Sequence, residues 1–186
     1  MKKRILAFGA SSSKTSINKA FAEFAANTIE NAAVTMLDLN DFEMPIYSID
    51  RERESGIPEP AKRFKEEIKQ ADGLIISFAE HNGSYTAAFK NIMDWISRLE
   101  GSTWEHKPML LLSTSPGGRG AKTVLNTAST SFKFGNSKPI SSFSLPFFNK
   151  NFDRNEGILD QELGESFNSE LEAFVTATDA EQLITT

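Results

Sequence analysis

Three stretches of this 186-residue chain gather the small hydroxyl, amide and glycine residues that hold charged or heterocyclic ligands: Ser11–Asn18, Ala79–Tyr85 and Ser113–Gly120. The first follows Gly9-Ala10 and reads Ser11-Ser12-Ser13-Lys14-Thr15-Ser16-Ile17-Asn18. Set between a strand and a helix, it would bring the helix's first amides, which have no internal partner, and the positive end of its dipole to one spot, where an anion is favoured. The serines and Thr15 add hydroxyl donors, Lys14 adds charge, and charge-assisted bonds of this sort are worth roughly 1.5–3 kcal/mol each. The stretch is neither a Walker loop nor a G-x-G-x-x-G fingerprint. A phosphate cradle and a serine-rich turn that merely caps a helix both fit it.

The second stretch holds Glu80-His81-Asn82-Gly83-Ser84-Tyr85. Asn-Gly favours a tight turn with positive φ. Such a turn exposes backbone groups that can read a flat heterocycle edge-on, or it is simply a turn. The third holds Thr114-Ser115-Pro116-Gly117-Gly118-Arg119-Gly120. Its glycines permit close approach of backbone to a ligand, and they equally suit a flexible connection.

Composition removes other chemistries. The chain has no cysteine, which excludes disulfides, thiolate nucleophiles and thiolate metal sites. It has only two histidines, His81 and His106, too few for a histidine-rich metal site. The net charge of −5 disfavours a non-specific nucleic-acid binder.

The elements that must position the three stretches follow from apolar periodicity. Arg4–Phe8, Ala33–Leu37, Gly73–Phe78, Pro108–Leu112 and Pro139–Leu145 are short apolar runs that read as strands. Helical spacing recurs from Ile17 to Thr28 after a Ser16 N-cap, from Ala61 to Ala71 and from Phe89 to Ile96. It recurs more weakly from Ala121 to Phe132, and again through Leu159, Leu163, Phe167, Leu171 and Phe174. Asp38 to Pro58 reads as a loop broken by Pro45, Gly56 and Pro58. Strict strand–helix alternation predicts an α/β fold: one flavodoxin-like domain over residues 1–186 with a five-stranded parallel sheet in the order 2-1-3-4-5. Ligands then sit beyond the carboxyl ends of the strands, where all three stretches fall. The apolar run after Met1-Lys2-Lys3-Arg4 breaks at Gly9, too short for a signal-peptide core, and a cytoplasmic protein without a membrane span is expected.

The most specific piece of the chain is Glu80-His81-Asn82-Gly83-Ser84-Tyr85-Thr86-Ala87-Ala88-Phe89-Lys90-Asn91-Ile92-Met93-Asp94-Trp95. From about Arg4 to Ser142 the chain resembles the NADPH-dependent FMN reductases, a family that includes FMN-dependent quinone, azo-dye and chromate reductases. The family carries Pro-Glu-Tyr-Asn-Gly-Ser and then Leu-Lys-Asn-x-x-Asp-Trp at this spacing. The resemblance implies an FMN cofactor with NADPH or NADH as co-substrate. The family's phosphate-loop pattern falls on Ala10, Ser11, Ser13, Ser16 and Asn18, and Lys14 and Ile17 of the same loop are added as phosphate-binding candidates, Lys14 as a substitute for the family's arginine. The ribityl chain and ring fall at Glu80, His81, Asn82 and Gly83, and the ring border at Ser115, Gly117 and Gly118. No catalytic side chain is expected, because the flavin carries the chemistry: hydride from NAD(P)H to flavin N5, then electrons to a quinone, free flavin, azo compound or similar acceptor by an exchange mechanism. The resemblance also implies a homodimer or homotetramer. Three positions depart from the pattern: Ser13 stands where the family has arginine, Ala79 replaces the proline before Glu80, and His81 replaces tyrosine. A flavodoxin-like electron carrier without turnover is the alternative, followed by a colourless phosphate-ligand module.

Among the aromatics, Phe147, Phe148 and Phe152 are expected to pack beneath a long loop, with a subunit contact as the alternative, Trp104 invites the same two readings, and Trp95 is expected to lie in the core.

Overall fold

Lys3–Ala10 forms the first strand, β1, and its side chains from Ile5 to Ala10 are all buried. Only a central strand covered on both faces needs such an unbroken apolar run. The computed structural model describes residues 2–184, with side chains through residue 180. The other strands of the sheet are β2 (Ala32–Leu37), β3 (Gly73–Phe78), β4 (Met109–Thr114) and β5 (Ile140–Leu145). They lie in the order β2-β1-β3-β4-β5 and every pairing is parallel. The expected fold and strand order are therefore observed. β3 and β4 are wholly buried, whereas β2, at an edge, alternates between half-buried and exposed positions.

Alternate side chains of each strand enter opposite cores. On one face Leu6, Phe8, Ile76, Phe78 and Leu111 meet α3 (Glu59–Gln70), α4 (Ala87–Ile96) and α5 (Lys122–Ser131). On the other, Ile5, Ala7, Ile75, Leu110 and Leu112 meet α1 (Ile17–Asn27) and α7 (Gln161–Ile184). Among the described residues, no helix is long and apolar enough to cross a membrane.

Three expectations need correction and one open choice, at Trp104, is decided. Residues 38–58 are not all loop: a 3-10 turn spans Leu39–Phe42 and α2 spans Ile49–Ser55. α2 buries none of its residues, so it leaves no apolar periodicity in the sequence. It starts on Ser48, whose hydroxyl accepts the Arg51 N–H. Leu159 lies before α7 and is half-exposed, because a short α6 (Phe148–Asn151) and a hairpin of β6 (Phe152–Asp153) and β7 (Gly157–Ile158) precede the helix. Trp104 is a core residue and makes no case for a subunit contact: it is 4% exposed, and its ring lies 4.6 Å from that of Phe132 and stacks on Phe89. Phe148 and Phe152 are buried as expected, but Phe147 is not.

Candidate functional site

The first loop takes its shape from its own side chains. Ser16 caps α1 by accepting the Lys19 N–H at 3.2 Å, and Ser11 Oγ accepts the Ser13 N–H at 3.1 Å. A serine that accepts a backbone N–H keeps its own O–H to donate. Both hydroxyls therefore remain available to an anion lying over the start of α1, where the Ile17 and Asn18 amides begin the helix. Gly9 lets α1 come this close to β1: a Cβ on Gly9 would lie 2.4 Å from the Lys19 nitrogen.

Asn18 locks this loop to the middle of the sheet. Its Oδ1 accepts the Ser77 hydroxyl at 2.8 Å and the Thr114 N–H at 3.1 Å, and its Nδ2 donates to the Thr114 carbonyl at 3.1 Å. It is 2% exposed. One amide thus ties the start of α1 to β3 and the end of β4. Thr86 makes a second tie: its hydroxyl donates to the Ala10 carbonyl at 2.9 Å and caps α4 by accepting the Phe89 N–H. Lys19 and Asp38 form an ion pair at 2.5 Å that fastens α1 to the end of β2. The Lys19 hydrogen bond, aided by the Asn40 N–H, holds the Asp38 carboxyl down at about 2.

The second loop makes the tight turn that Asn-Gly predicts. Asn82 and Gly83 have φ of 52° and 74°, and His81 and Ser84 exchange backbone hydrogen bonds at 3.0 Å. Glu80 reaches the start of α5, where its carboxylate accepts the Val124 N–H at 3.0 Å. α5 needs this remote cap because its own N-cap position is Ala121, which has no polar side chain. Beside the turn, burial raises the Tyr85 hydroxyl above its usual range, opposed in part by its hydrogen bond with Ser131.

The three loops meet over one hollow of about 250 Å³. Ser11, Ser13, Ser16, Ile17 and Asn18 line it from the first loop, Glu80 and His81 from the second, and Ser115 from the third. Thr15, Ala79, Thr114 and Pro116 complete it. Lys14, Asn82, Gly83, Gly117 and Gly118 do not line the hollow and lie exposed in the same three loops. Ser77, Thr86 and Thr114, which the sequence did not single out, brace the floor. They sit at strand ends or a helix start, Thr114 within the third stretch and Ser77 and Thr86 on either side of the second, but their partners are distant in the chain.

The Lys-Asn-x-x-Asp-Trp residues lie elsewhere. Asn91 accepts the Tyr47 N–H at 2.8 Å and donates to the Met44 and Pro45 carbonyls, and Trp95 Nε1 donates to the Pro45 carbonyl at 2.7 Å. They clamp the segment after the 3-10 turn onto α4. That segment walls a second hollow of about 350 Å³, which touches the first loop at Ser12. Lys90 and Asp94 form a surface ion pair.

Residues 3–150 match the family described as NADPH-dependent FMN reductase. The chain belongs to this family. Curated relatives of this FMN reductase family chain include the quinone reductase of Escherichia coli (strain K12), 33% identical over 101 residues, which are 52% of this chain and 54% of that protein. They also include a 2-hydroxy-1,4-benzoquinone reductase of Burkholderia sp, 44% identical over 78 residues, 41% of this chain and 42% of that protein. The chain spans about half the length of the curated relatives it matches. Among solved structures, FerB of Paracoccus denitrificans, a flavoenzyme NAD(P)H:(acceptor) oxidoreductase, superposes with a TM-score of 0.75 at 22% identity, covering 97% of this chain and 98% of that one. An FMN-dependent NADH-azoreductase from Bacillus anthracis str. Ames Ancestor, in complex with FMN, gives a TM-score of 0.56 at 17% identity, covering 95% and 99%. At these identities the structural likeness is one of fold.

Proposed function

We propose that this member of the family is an FMN-binding oxidoreductase that takes NADPH or NADH and reduces a quinone, free flavin, azo compound or similar acceptor. One observation carries this: the hydroxyl-rich loop at the start of α1 opens onto the same hollow as the Glu80–His81 turn and the Ser115 loop. The donor set suits the cofactor. At one end it offers helix amides, the Ser11, Ser13, Thr15 and Ser16 hydroxyls and the nearby Lys14 for a phosphate. At the other, the exposed Asn82–Gly83 and Gly117–Gly118 backbones suit the edge of a ring. Glu80 is the carboxylate lining this hollow, and the Val124 N–H engages one of its oxygens.

FMN, when bound, accepts hydride from NAD(P)H and returns electrons to an acceptor. The chain's part is to bind, orient and stabilise. The start of α1 and the serine hydroxyls would hold the phosphate by hydrogen bonds, and Lys14 would offset its charge. Asn18 holds that helix start against the strand ends. Backbone amides of the glycine-rich loop are suited to stabilise negative charge on the reduced ring. No side chain is assigned a proton transfer. The two co-substrates use one place in turn, and the active assembly is a homodimer or homotetramer.

The test is a visible spectrum of the purified protein after addition of FMN and removal of unbound flavin by gel filtration, followed by anaerobic titration with each nicotinamide. Bound flavin that bleaches with NADPH or NADH is expected. Protein left colourless after that removal overturns the proposal. Flavin that binds without steady oxidation of either nicotinamide assigns the chain to the electron carriers. Initial-rate lines that stay parallel as the acceptor varies support alternate occupancy, and intersecting lines reject it.

A further inference from the structure

Within the glycine-rich loop the Ser115 hydroxyl and the Gly120 N–H both donate to the Gly117 carbonyl, at 3.3 and 3.2 Å, while Gly117 and Gly118 have no side chains of their own. The segment from Ser144 to Phe148 adds further support. The Phe147 N–H donates to the Gly117 carbonyl at 3.1 Å, and the Phe148 N–H donates to the Ser115 carbonyl at 3.0 Å. The Ser144 hydroxyl donates to the Gly120 carbonyl at 2.8 Å.

Phe147 itself is anomalous in two ways. Its backbone is left-handed, with φ 49° and ψ 55°, a conformation that bulky residues rarely adopt. Its side chain is 49% exposed, although Phe148 and Phe152 beside it are buried and stacked 4.7 Å apart. A strained backbone and an exposed ring both oppose folding, so core packing does not explain this residue. The ring's position does. A Cβ placed on Gly118 would lie 2.6 Å from Phe147 Cζ and 3.0 Å from Cε2. The ring tip therefore fills the space where residue 118 would otherwise carry a side chain, and it rests against the Gly118 backbone.

We propose that Phe147 is a positioning residue that buttresses the Gly117–Gly118 peptides and so sets the backbone surface offered to the flavin ring. The role assigned to the flavin rests on the function proposed above, whereas the buttress itself does not. Removing the ring leaves the loop's amides free to reorient. Adding a methyl group at Gly118 overlaps the ring tip and parts the ring from the loop, but fits the space left when the ring is gone.

The test is a double-mutant cycle with Phe147→Ala, Gly118→Ala and the pair together, with Phe147→Leu as the conservative variant. Amide hydrogen exchange at Gly120, Phe147 and Phe148, whose N–H groups donate to the loop's carbonyls, reads the buttress in protein without FMN. Exchange is expected to rise about 10-fold in either single alanine variant, equivalent to one weakened hydrogen bond, and to return towards wild type in the pair. FMN affinity by fluorescence quenching should fall about 10-fold in each single variant and partly recover in the pair, and Phe147→Leu should stay within about 3-fold. The midpoint potential of the bound flavin should shift in Phe147→Ala and not in Phe147→Leu. Unchanged exchange, or singles that add without recovery, overturns the proposal. If the wild-type protein binds no FMN, the function proposed above fails and the exchange cycle still decides the role of Phe147.

Discussion

The first loop and the glycine-rich loop face the same hollow and are supported to different extents by distant parts of the chain. Residues 11–16 shape themselves: Ser11 accepts the Ser13 N–H, the Ser16 N–H meets the Ser13 carbonyl, and Ser16 caps the helix that follows. Each of these contacts joins residues two or three apart. Residues 115–120 also have local bonds, from the Ser115 hydroxyl and the Gly120 N–H to the Gly117 carbonyl, but they lean in addition on the end of β5 and the residues after it, through Ser144, Phe147 and Phe148, about thirty residues downstream. A loop that carries side chains can hold a fixed anion site locally. A loop with glycines at its centre, so that backbone can approach a ligand, borrows part of its rigidity from elsewhere. The consequence is an asymmetry: damage to the first loop should act near the phosphate, whereas damage to the third should come from residues that touch no ligand.

Asn18→Ala should break this contrast most severely, because Asn18 ties the first loop to the end of β4, from which the third departs. The Ser77 hydroxyl and both polar groups of the Thr114 backbone would lose their partner in a buried place, at a cost of about 3 kcal/mol. Denaturant unfolding of the FMN-free protein measures it, and a loss below about 1 kcal/mol would show that water or rearrangement replaces the amide. Lys14→Ala combined with Ser16→Ala should act on the first loop alone. Loss of the cap should cost about 1 kcal/mol, and FMN affinity should drop at least about 10-fold with the flavin's potential little changed. Affinity equal to wild type would remove the phosphate from this loop.

Trp95→Phe is the control outside both loops. It deletes the bond to the Pro45 carbonyl and should cost about 1 kcal/mol while FMN affinity stays within about 3-fold. A larger fall in affinity would extend the site to the clamp on α4. The smallest effect is electrostatic. Asp38 is held at about 2 against an ordinary 3.8, so its pairing with Lys19 contributes fully above about pH 4 and is lost as pH falls from 3.8 through 2. Both side chains are about one-third exposed, and screening limits the contribution to about 1 kcal/mol or less. Asp38→Asn should flatten that part of the stability–pH curve, and a curve unchanged by the substitution would show the pair to be neutral.

Much of this was legible in the residues, and the exceptions share a cause. The strands were readable because central parallel strands such as β3 are apolar throughout, and the Ser16 cap and Asn82–Gly83 turn were readable because their partners lie within three residues. α2 was not, since a helix that buries nothing carries no period. Asn18 and Glu80 stood out as ligand candidates from their motifs, while their partners, Ser77 and Thr114 for one and Val124 for the other, became visible only in three dimensions. The reverse holds for Trp104, whose large apolar ring suited a core or an interface equally until Phe89 and Phe132 were found against it.

The sequence by itself determined the alternation of strands and helices, the parallel sheet that follows from it, and the end of that sheet at which ligand-binding loops collect. Those properties depend on burial periods and short-range backbone bonds. The tertiary structure alone decided that one asparagine amide would join three elements at the floor of the hollow, that a glutamate would cap a helix from another loop, and that a half-exposed phenylalanine would prop a glycine backbone. Such contacts join residues far apart in the chain, and no local pattern of residue types records which distant group folding brings alongside.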